Sequence, residues 1–402
     1  MLMDITLLAT ADWDHPFWTN KQHVAESLVA LGHRVLYIDS LGLRPPTLAS
    51  RDRLRLLRRL RRCLRGPRLV QPGLWVLTPL QVPLQGVRGV DRCNRCLLAV
   101  SLRLAYWWLG FQRDVLWTYS PRSSKLLALH AYRRTLYHCV DAIDAQPGMN
   151  GPQLRLDEQH LCRSVDLVVT TTPVLQERCA AEARRCVLLP NAVDVEHFRR
   201  AQQPELLIPG DLACIPGPRL VFVGAIAAYK QDLALLAALA QAHPAWSIVL
   251  IGAIGEGDPS TTVSVLDECP NIHLLGPRPY AQLPAYLKGA SVGLIPALLN
   301  DYTRAMFPMK FFEYLAAGLP VVATPLPALE AYRAFVSSAA EPAAFAQAIE
   351  RCLAAGPNRD PALAELLQAV SYRQRTRQML RLLAQSGDGS VQHHPETFAS
   401  DN

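Results

Sequence analysis

The sequence predicts an α/β chain of two Rossmann-like, doubly wound parallel-sheet domains facing a central cleft. Three observations predict it. Short apolar runs alternate with helix-period stretches along most of the 402 residues. A polar, Pro/Gly-rich stretch at 199–218 breaks that rhythm, which then restarts. Half of the residues are hydrophobic and 19% are charged, a composition that fills two cores and excludes a disordered chain.

The elements follow in order. Asp4–Ala9 reads as the first strand and Thr19–Leu31 as a helix with Val24, Leu28 and Leu31 on its apolar face, ended by Gly32. Strands follow at Arg34–Asp39, Leu74–Leu77, Asp114–Thr118, Thr135–Val140, Asp166–Thr170 and Arg185–Leu189. Cys96–Phe111 is too short and too charged to span a membrane, and is expected to be a buried helix. After the linker come strands at Arg219–Gly224, Trp246–Gly252, Ile272–Gly276, Val292–Pro296, Pro320–Thr324 and Phe335–Ser338, with a helix at Asp232–His243. The expected division is 1–198 as an N-terminal domain, 199–218 as linker, 219–370 as a C-terminal domain, 371–385 as a closing helix and 386–402 as a disordered tail. Ligands of such sheets bind at strand C-terminal ends, so the cleft is the expected site.

Charge is divided unevenly. Residues 1–190 hold 26 Lys and Arg against 15 Asp and Glu, a net +11; the remaining 15 basic and 19 acidic residues give −4. The first half should therefore meet an anionic surface or acceptor. The preference for Arg over Lys suits a GC-rich genome, but does not explain why the charge collects in one half. Ten irregularly spaced cysteines with no preceding signal segment suggest reduced thiols in a cytoplasmic protein. Cys93-Asn-Arg-Cys96 has no second pair, so no metal site is expected.

The most informative string is Pro308-Met-Lys-Phe-Phe-Glu-Tyr-Leu-Ala-Ala-Gly-Leu-Pro-Val-Val-Ala323. Pro308 suits a helix's first turn, Gly318 its end, and Leu319–Ala323 a buried strand. The free N–H groups of that helix start would then face the cleft, ready for a diphosphate. Lys310 and Glu313 share a face. A cation there opposes the helix dipole and makes sense if an anion sits nearby; an ordinary i,i+3 salt bridge is the competing explanation.

The string resembles the donor-binding signature of GT-B glycosyltransferases, particularly the glycosyltransferase family 4-like group of bacterial polysaccharide and lipopolysaccharide biosynthesis enzymes. The resemblance covers most of the chain. Leu188-Leu-Pro-Asn-Ala-Val-Asp-Val-Glu-His-Phe198 is similar to the group's PNGVD segment, with Ala192 in place of Gly. Leu220–Gly224 followed by Lys230, Ser247–Gly252, Asn271–Gly276 and Leu283–Leu287 resemble its C-terminal elements. Lys21–Leu28, Gly32–Ile38, Tyr137–Asp144 and Ser164–Val169 resemble N-terminal ones. The resemblance implies transfer of a sugar from a UDP-, GDP- or dTDP-sugar to a saccharide or lipid-linked acceptor, with no cofactor and no metal. Lys230 and Gly224 would meet the diphosphate, Lys310 would assist, and Glu313 would hold ribose hydroxyls. The loop carrying Arg278 would lie beside the base. Two departures stand out. Ala305 lies where many members carry a first glutamate, eight residues before Glu313, and Ala225 replaces a frequent Arg. Arg304 and Arg278 are the nearby candidates to supply that charge.

A general base requires a carboxylate or His at a strand end. Asp12, Asp14, His15, His138, Asp141 and Asp144 qualify, with Asp141 and His138 nearest the position where retaining relatives hold the sugar. Each is also an ordinary turn or cap residue. Residues 51–66 form a basic amphipathic pattern, with Leu54, Leu57, Leu60 and Leu64 near one face. Arg55, Arg58, Arg59 and Arg62 lie among the surrounding arginines. Such a helix suits an anionic membrane surface, which would place the protein on the inner face of the bacterial inner membrane; nucleic acid is not expected. Two other readings are a nucleotide-sugar 2-epimerase and a non-catalytic homologue within a polysaccharide assembly complex.

Overall fold

The computed structural model describes residues 2–15, 17–41, 61–63, 65–82, 88–127, 130–255, 258, 260–357 and 360–386. Arg55, Arg58 and Arg59 lie outside them, as does the tail beyond Ser386. Two sheets carry the fold. The first takes β1 (Asp4–Leu8), β2 (Arg34–Ile38), β3 (Arg68–Gln71), β4 (Leu74–Leu77), β5 (Val115–Thr118), β6 (Arg134–Cys139), β7 (Leu167–Thr170) and β8 (Cys186–Leu188), ordered 3-4-2-1-5-6-7-8. The second takes β9 (Arg219–Val223), β10 (Ser247–Ile251), β11 (Ile272–Leu274), β12 (Val292–Ile295), β13 (Val321–Ala323) and β14 (Ser337–Ser338), ordered 11-10-9-12-13-14. Every pairing is parallel except β3 with β4. Central strands such as β1 and β10 are buried at every position, which is why they read as unbroken apolar runs. β3 escapes that signature. It is an exposed antiparallel edge with a register break between Leu69 and Gln71, so no apolar run marks it.

Helices pack against both sheets. α1 (Asn20–Ala30) opens on a capping box in which Gln22 accepts the Thr19 N–H at 3.1 Å. α2 is Arg88–Leu109, α3 Gly151–Ser164 and α4 Pro173–Ala180. α5 (Leu233–Ala242) starts at Asp232, whose carboxylate accepts the Leu235 N–H at 2.9 Å. α6 is Lys310–Ala316, α7 Pro342–Ala355 and α8 Tyr372–Gln385. α8 follows the second sheet in the chain but packs on α1, with Met379 and Leu383 in the first sheet's core.

The helix expected to be buried at 96–111 is half exposed. Leu98, Leu102, Ala105 and Tyr106 of α2 enter the core, while Val100, Leu104, Trp107 and Trp108 face outward. Apolar content alone did not say how many faces of α2 the fold covers. No helix among the described residues is long and apolar enough to cross a membrane.

Candidate functional site

The two sheets meet along a polar seam. Asn191 donates to the Phe307 carbonyl at 3.0 Å and accepts from Asn20 at 2.8 Å. Thr172 donates to the Ala305 carbonyl at 3.3 Å. α6 is set against the second sheet by two close fits. Tyr314 Oη accepts the Val223 N–H at 2.8 Å, and a Cβ on Gly293 would lie 2.4 Å from the Tyr314 ring. Gly224, at φ +153°, ends β9 where the chain turns toward Lys230; a Cβ on Gly252 would overlap the Gly224 carbonyl, so both strand ends require glycine.

At one end of the seam, Lys310 and Glu313 form an ion pair at 2.5 Å, with Glu313 buried. Aromatic rings surround it. His23 stacks on Tyr372 at 4.6 Å and lies 5.2 Å from Tyr280, which stacks on His197 at 4.3 Å. Burial first, then the charges of Lys310 and His197, hold His23 down to about 3, so the ring is neutral.

At the other end, Lys21 comes from the first turn of α1 and Lys230 from the loop after β9. Lys21 is buried, and among the described residues no hydrogen bond or ion pair closes on its ammonium; its near contact is the Tyr119 ring at 5.6 Å. Burial pushes its pKa down, Asp141 pulls it up and Lys230 pushes it down again. Lys230 Nζ lies 5.2 Å from both the Tyr229 and Tyr302 rings. Asp141 accepts from Tyr302 Oη at 3.5 Å, linking the two sheets. Two ammonium groups and one carboxylate are thus electrostatically coupled at this end, with Lys21 buried and Lys230 and Asp141 half-buried, an excess of positive charge suited to an anion.

The other carboxylate candidates divide clearly. Asp14 pairs with Arg62 and Arg68, and Asp144 with Arg155 and Arg178. Asp12 keeps a buried Oδ1 without a hydrogen-bond partner. His15 bonds the Phe17 carbonyl. His138 lies at the end of β6, buried, with Nδ1 3.2 Å from Tyr119 Oη. Burial and then Lys21 hold it down to about 3. It is a neutral ring in the wall behind Lys21.

Arg278 pairs with Asp211 at 2.7 Å and donates to Tyr286 at 2.6 Å, tying its loop to the segment before β9. Local pairing within the same half of the chain captures it. A group with metal-ligand spacing does exist, though the sequence hid it. Cys139 of β6, Glu158 of α3 and Cys179 of α4 are buried with ligand atoms within 4.8 Å of one another. Glu158 is already satisfied by Tyr137 at 2.7 Å and Arg178 at 2.8 Å, and the bond from Cys179 followed by burial pushes the Cys139 thiol up. This group is an internal polar knot.

Lys21, His23, Tyr280, Tyr302 and Tyr372 line the seam without having been singled out. One signal was available for Lys21: a cation in a helix's first turn opposes the dipole, the same argument that drew attention to Lys310. Arg375 of α8, half-buried, lines a small cavity with Asn20, His138 and Tyr372, and its Nε has no hydrogen-bond partner among the described residues.

Two facing Rossmann-like sheets with a cation-lined seam define the GT-B class, and the fold of this chain is GT-B. Residues 217–355, which carry the second sheet, match the family model described as Glycosyl transferases group 1. The Bacillus subtilis glycosyltransferase TuaH, ascribed to teichuronic acid biosynthesis, is 26% identical over 232 residues, 54% of this chain and 56% of that protein. The match therefore spans little more than half of the curated relative. Among solved structures, a sucrose-phosphate synthase from Thermosynechococcus elongatus superposes with a TM-score of 0.69 at 18% identity, covering 96% of this chain and all of that one. The Anabaena protein HepE, solved with UDP and glucose, gives 0.63 at 15% identity, covering 95% and 99%. At these identities the structural likeness speaks for the fold.

Proposed function

We propose that the chain transfers a sugar from a nucleotide diphosphate sugar to a saccharide or lipid-linked acceptor in cell-surface polysaccharide biosynthesis, as a family 4-like glycosyltransferase. The observation that carries this reading is the approach of Lys21 and Lys230 from opposite sheets, with the Asp141 carboxylate beside them and, among the described residues, no ion pair on either lysine. A leaving diphosphate needs fixed positive charge where its own charge develops, in a site closed to water. Lys230 and Gly224 serve the phosphates from the donor side, and Lys21 supplies from the acceptor side the charge that Ala225 does not. Glu313, beside the ring stack, serves the ribose once Lys310 turns toward phosphate. Asp141 receives or orients the acceptor hydroxyl. His138, neutral and held by Tyr119, positions that wall and does not shuttle a proton near pH 7.

The resemblance to HepE, solved with UDP, supports testing the UDP series first. The half-matched relative, ascribed to teichuronic acid biosynthesis, supports a polysaccharide product. The basic first half of the chain supports a place at the anionic inner face of the bacterial membrane. One observation favours the non-catalytic reading instead: Ala305, where the resemblance leads one to expect a glutamate, is packed against the first sheet.

A thermal-shift screen against UDP-, GDP- and dTDP-sugars and the free nucleotides tests the proposal. A rise in Tm with one nucleotide series, lost in Lys230→Ala, is the expected result. No rise with any series, together with no transfer to membrane-extracted acceptor, refutes it.

A further inference from the structure

The outward face of α2 lacks a partner of its own among the described residues. Cys93, Cys96, Val100, Leu104 and Trp107 are all exposed and follow one another at spacings of three and four, so they form a single stripe. Trp107 is 84% exposed, Trp108 62%, Leu104 61% and Val100 54%. Two adjacent tryptophans this open on one helix are costly in water, and a contiguous stripe differs from scattered apolar residues.

The charge around the stripe is mostly positive. Residues 61–110 contain eight arginines and one acidic residue, Asp91. Arg92 and Arg103 lie on one flank of the stripe and are exposed. On the other side the chain at 65–68 presses against it, since a Cβ on Gly66 would lie 2.6 Å from the Trp108 ring. That contact brings the exposed Arg65 to its border, together with Arg68, which is paired with Asp14.

We propose that this face of α2 docks into the interface of an anionic lipid bilayer, with Val100, Leu104, Trp107 and Trp108 entering the headgroup region and the arginines meeting lipid phosphates. Tryptophan favours that boundary because its ring is apolar and its N–H is polar. An interfacial helix needs one apolar face and a cationic border, without the length to span. Nucleic acid would leave the aliphatic Val100 and Leu104 without a role. The inference deepens the proposed function by naming the surface that would bring a lipid-linked acceptor to the cleft, and it concerns residues remote from the seam.

The test is flotation of the full chain with vesicles of phosphatidylglycerol and phosphatidylcholine, or phosphatidylcholine alone. Wild type should float with the anionic vesicles, less so at high salt, and bromine-labelled lipid tails should quench its tryptophan emission. Trp107→Ser with Trp108→Ser should lower partitioning about tenfold or more, from the apolar area withdrawn. Leu104→Ser should act in the same direction, and Arg92→Gln and Arg103→Gln should each cost about fivefold. Failure of wild type to float overturns the proposal, as do tryptophan variants that float like wild type. A fall in Tm in the tryptophan variants, or loss of a dimer, also overturns it, because the face is then covered by residues 51–60 or by a second copy. A nucleotide-induced thermal shift, measured on the same variants, should be unchanged. If that shift is absent from wild type while flotation holds, the donor reading fails and the docking surface stands.

Discussion

Two lysine clusters occupy the seam, and they differ in what their charges already do. Lys310 is closed on Glu313 at 2.5 Å, a finished pair inside one helix. Lys21 and Lys230 come from opposite sheets, neither has an ion pair among the described residues, and burial lowers the Lys21 pKa. A satisfied pair contributes to folding; a pair of unsatisfied cations costs stability and is retained where an anion is to be bound. The contrast predicts opposite signs. Lys230→Ala and Lys21→Met should each lower transfer by about 10²–10³-fold, the usual loss for one electrostatic donor at a developing charge. Lys21→Met should at the same time raise the Tm of the ligand-free protein, because a buried like charge is removed. Lys310→Met should instead lower stability by about 2 kcal/mol, because Glu313 is left buried and unpaired. Chemical denaturation alongside a transfer assay reads both quantities. If Lys21→Met is destabilising in the free protein and still transfers sugar, the contrast is broken.

Ala305 sharpens the same comparison from the side of space rather than charge. It is 2% exposed and packs among Tyr137, Cys139 and Ala142, and its carbonyl receives the Thr172 hydroxyl. A glutamate there would force a charge into an apolar cluster at the junction of the two sheets. Ala305→Glu should therefore cost about 3 kcal/mol in denaturant unfolding and leave transfer no better per folded molecule. A variant that is stable and faster would mean that position 305 opens into the cleft and that its alanine is a lost sugar contact.

Much of this was readable from the sequence, for reasons that also mark its limits. The parallel strands declared themselves because burial on both faces leaves unbroken apolar runs, as at Ser247–Ile251. Strand β3 stayed silent because an exposed edge needs no such run. The string from 308 to 323 drew attention to Lys310 and Glu313, which are neighbours in the chain. Lys21, Asp141 and Lys230 are joined only by folding, and no spacing rule relates them. Arg278, read as part of the loop beside the base, is paired with Asp211, 67 residues away, a partner that only coordinates reveal. The outward face of α2 failed for a related reason. Periodicity reports that a helix has apolar sides, while the number of sides covered depends on its neighbours.

The smallest effect expected concerns the two neutral histidines, one in each cluster. His23 beside Lys310 and His138 beside Lys21 are both held to about 3, against 6.5 in an unfolded chain. Because the folded value is the lower one, the unfolded chain takes up protons first as pH falls. The stability each contributes is whole above about 6.5 and is lost progressively toward 3. At pH 5 each should cost about 2 kcal/mol relative to pH 7. His23→Gln and His138→Gln should flatten that slope in urea titrations at several pH values. The two variants should also separate the clusters. Gln at 138 removes the ring that bonds Tyr119 behind Lys21, so it should lower kcat more than it raises KM for the donor. Gln at 23 removes the stack on Tyr372 beside Glu313, so it should act on donor binding first. Equal effects of the two on kcat and KM would show that the seam works as one undivided site, and that the open and closed lysine clusters do not have separate tasks.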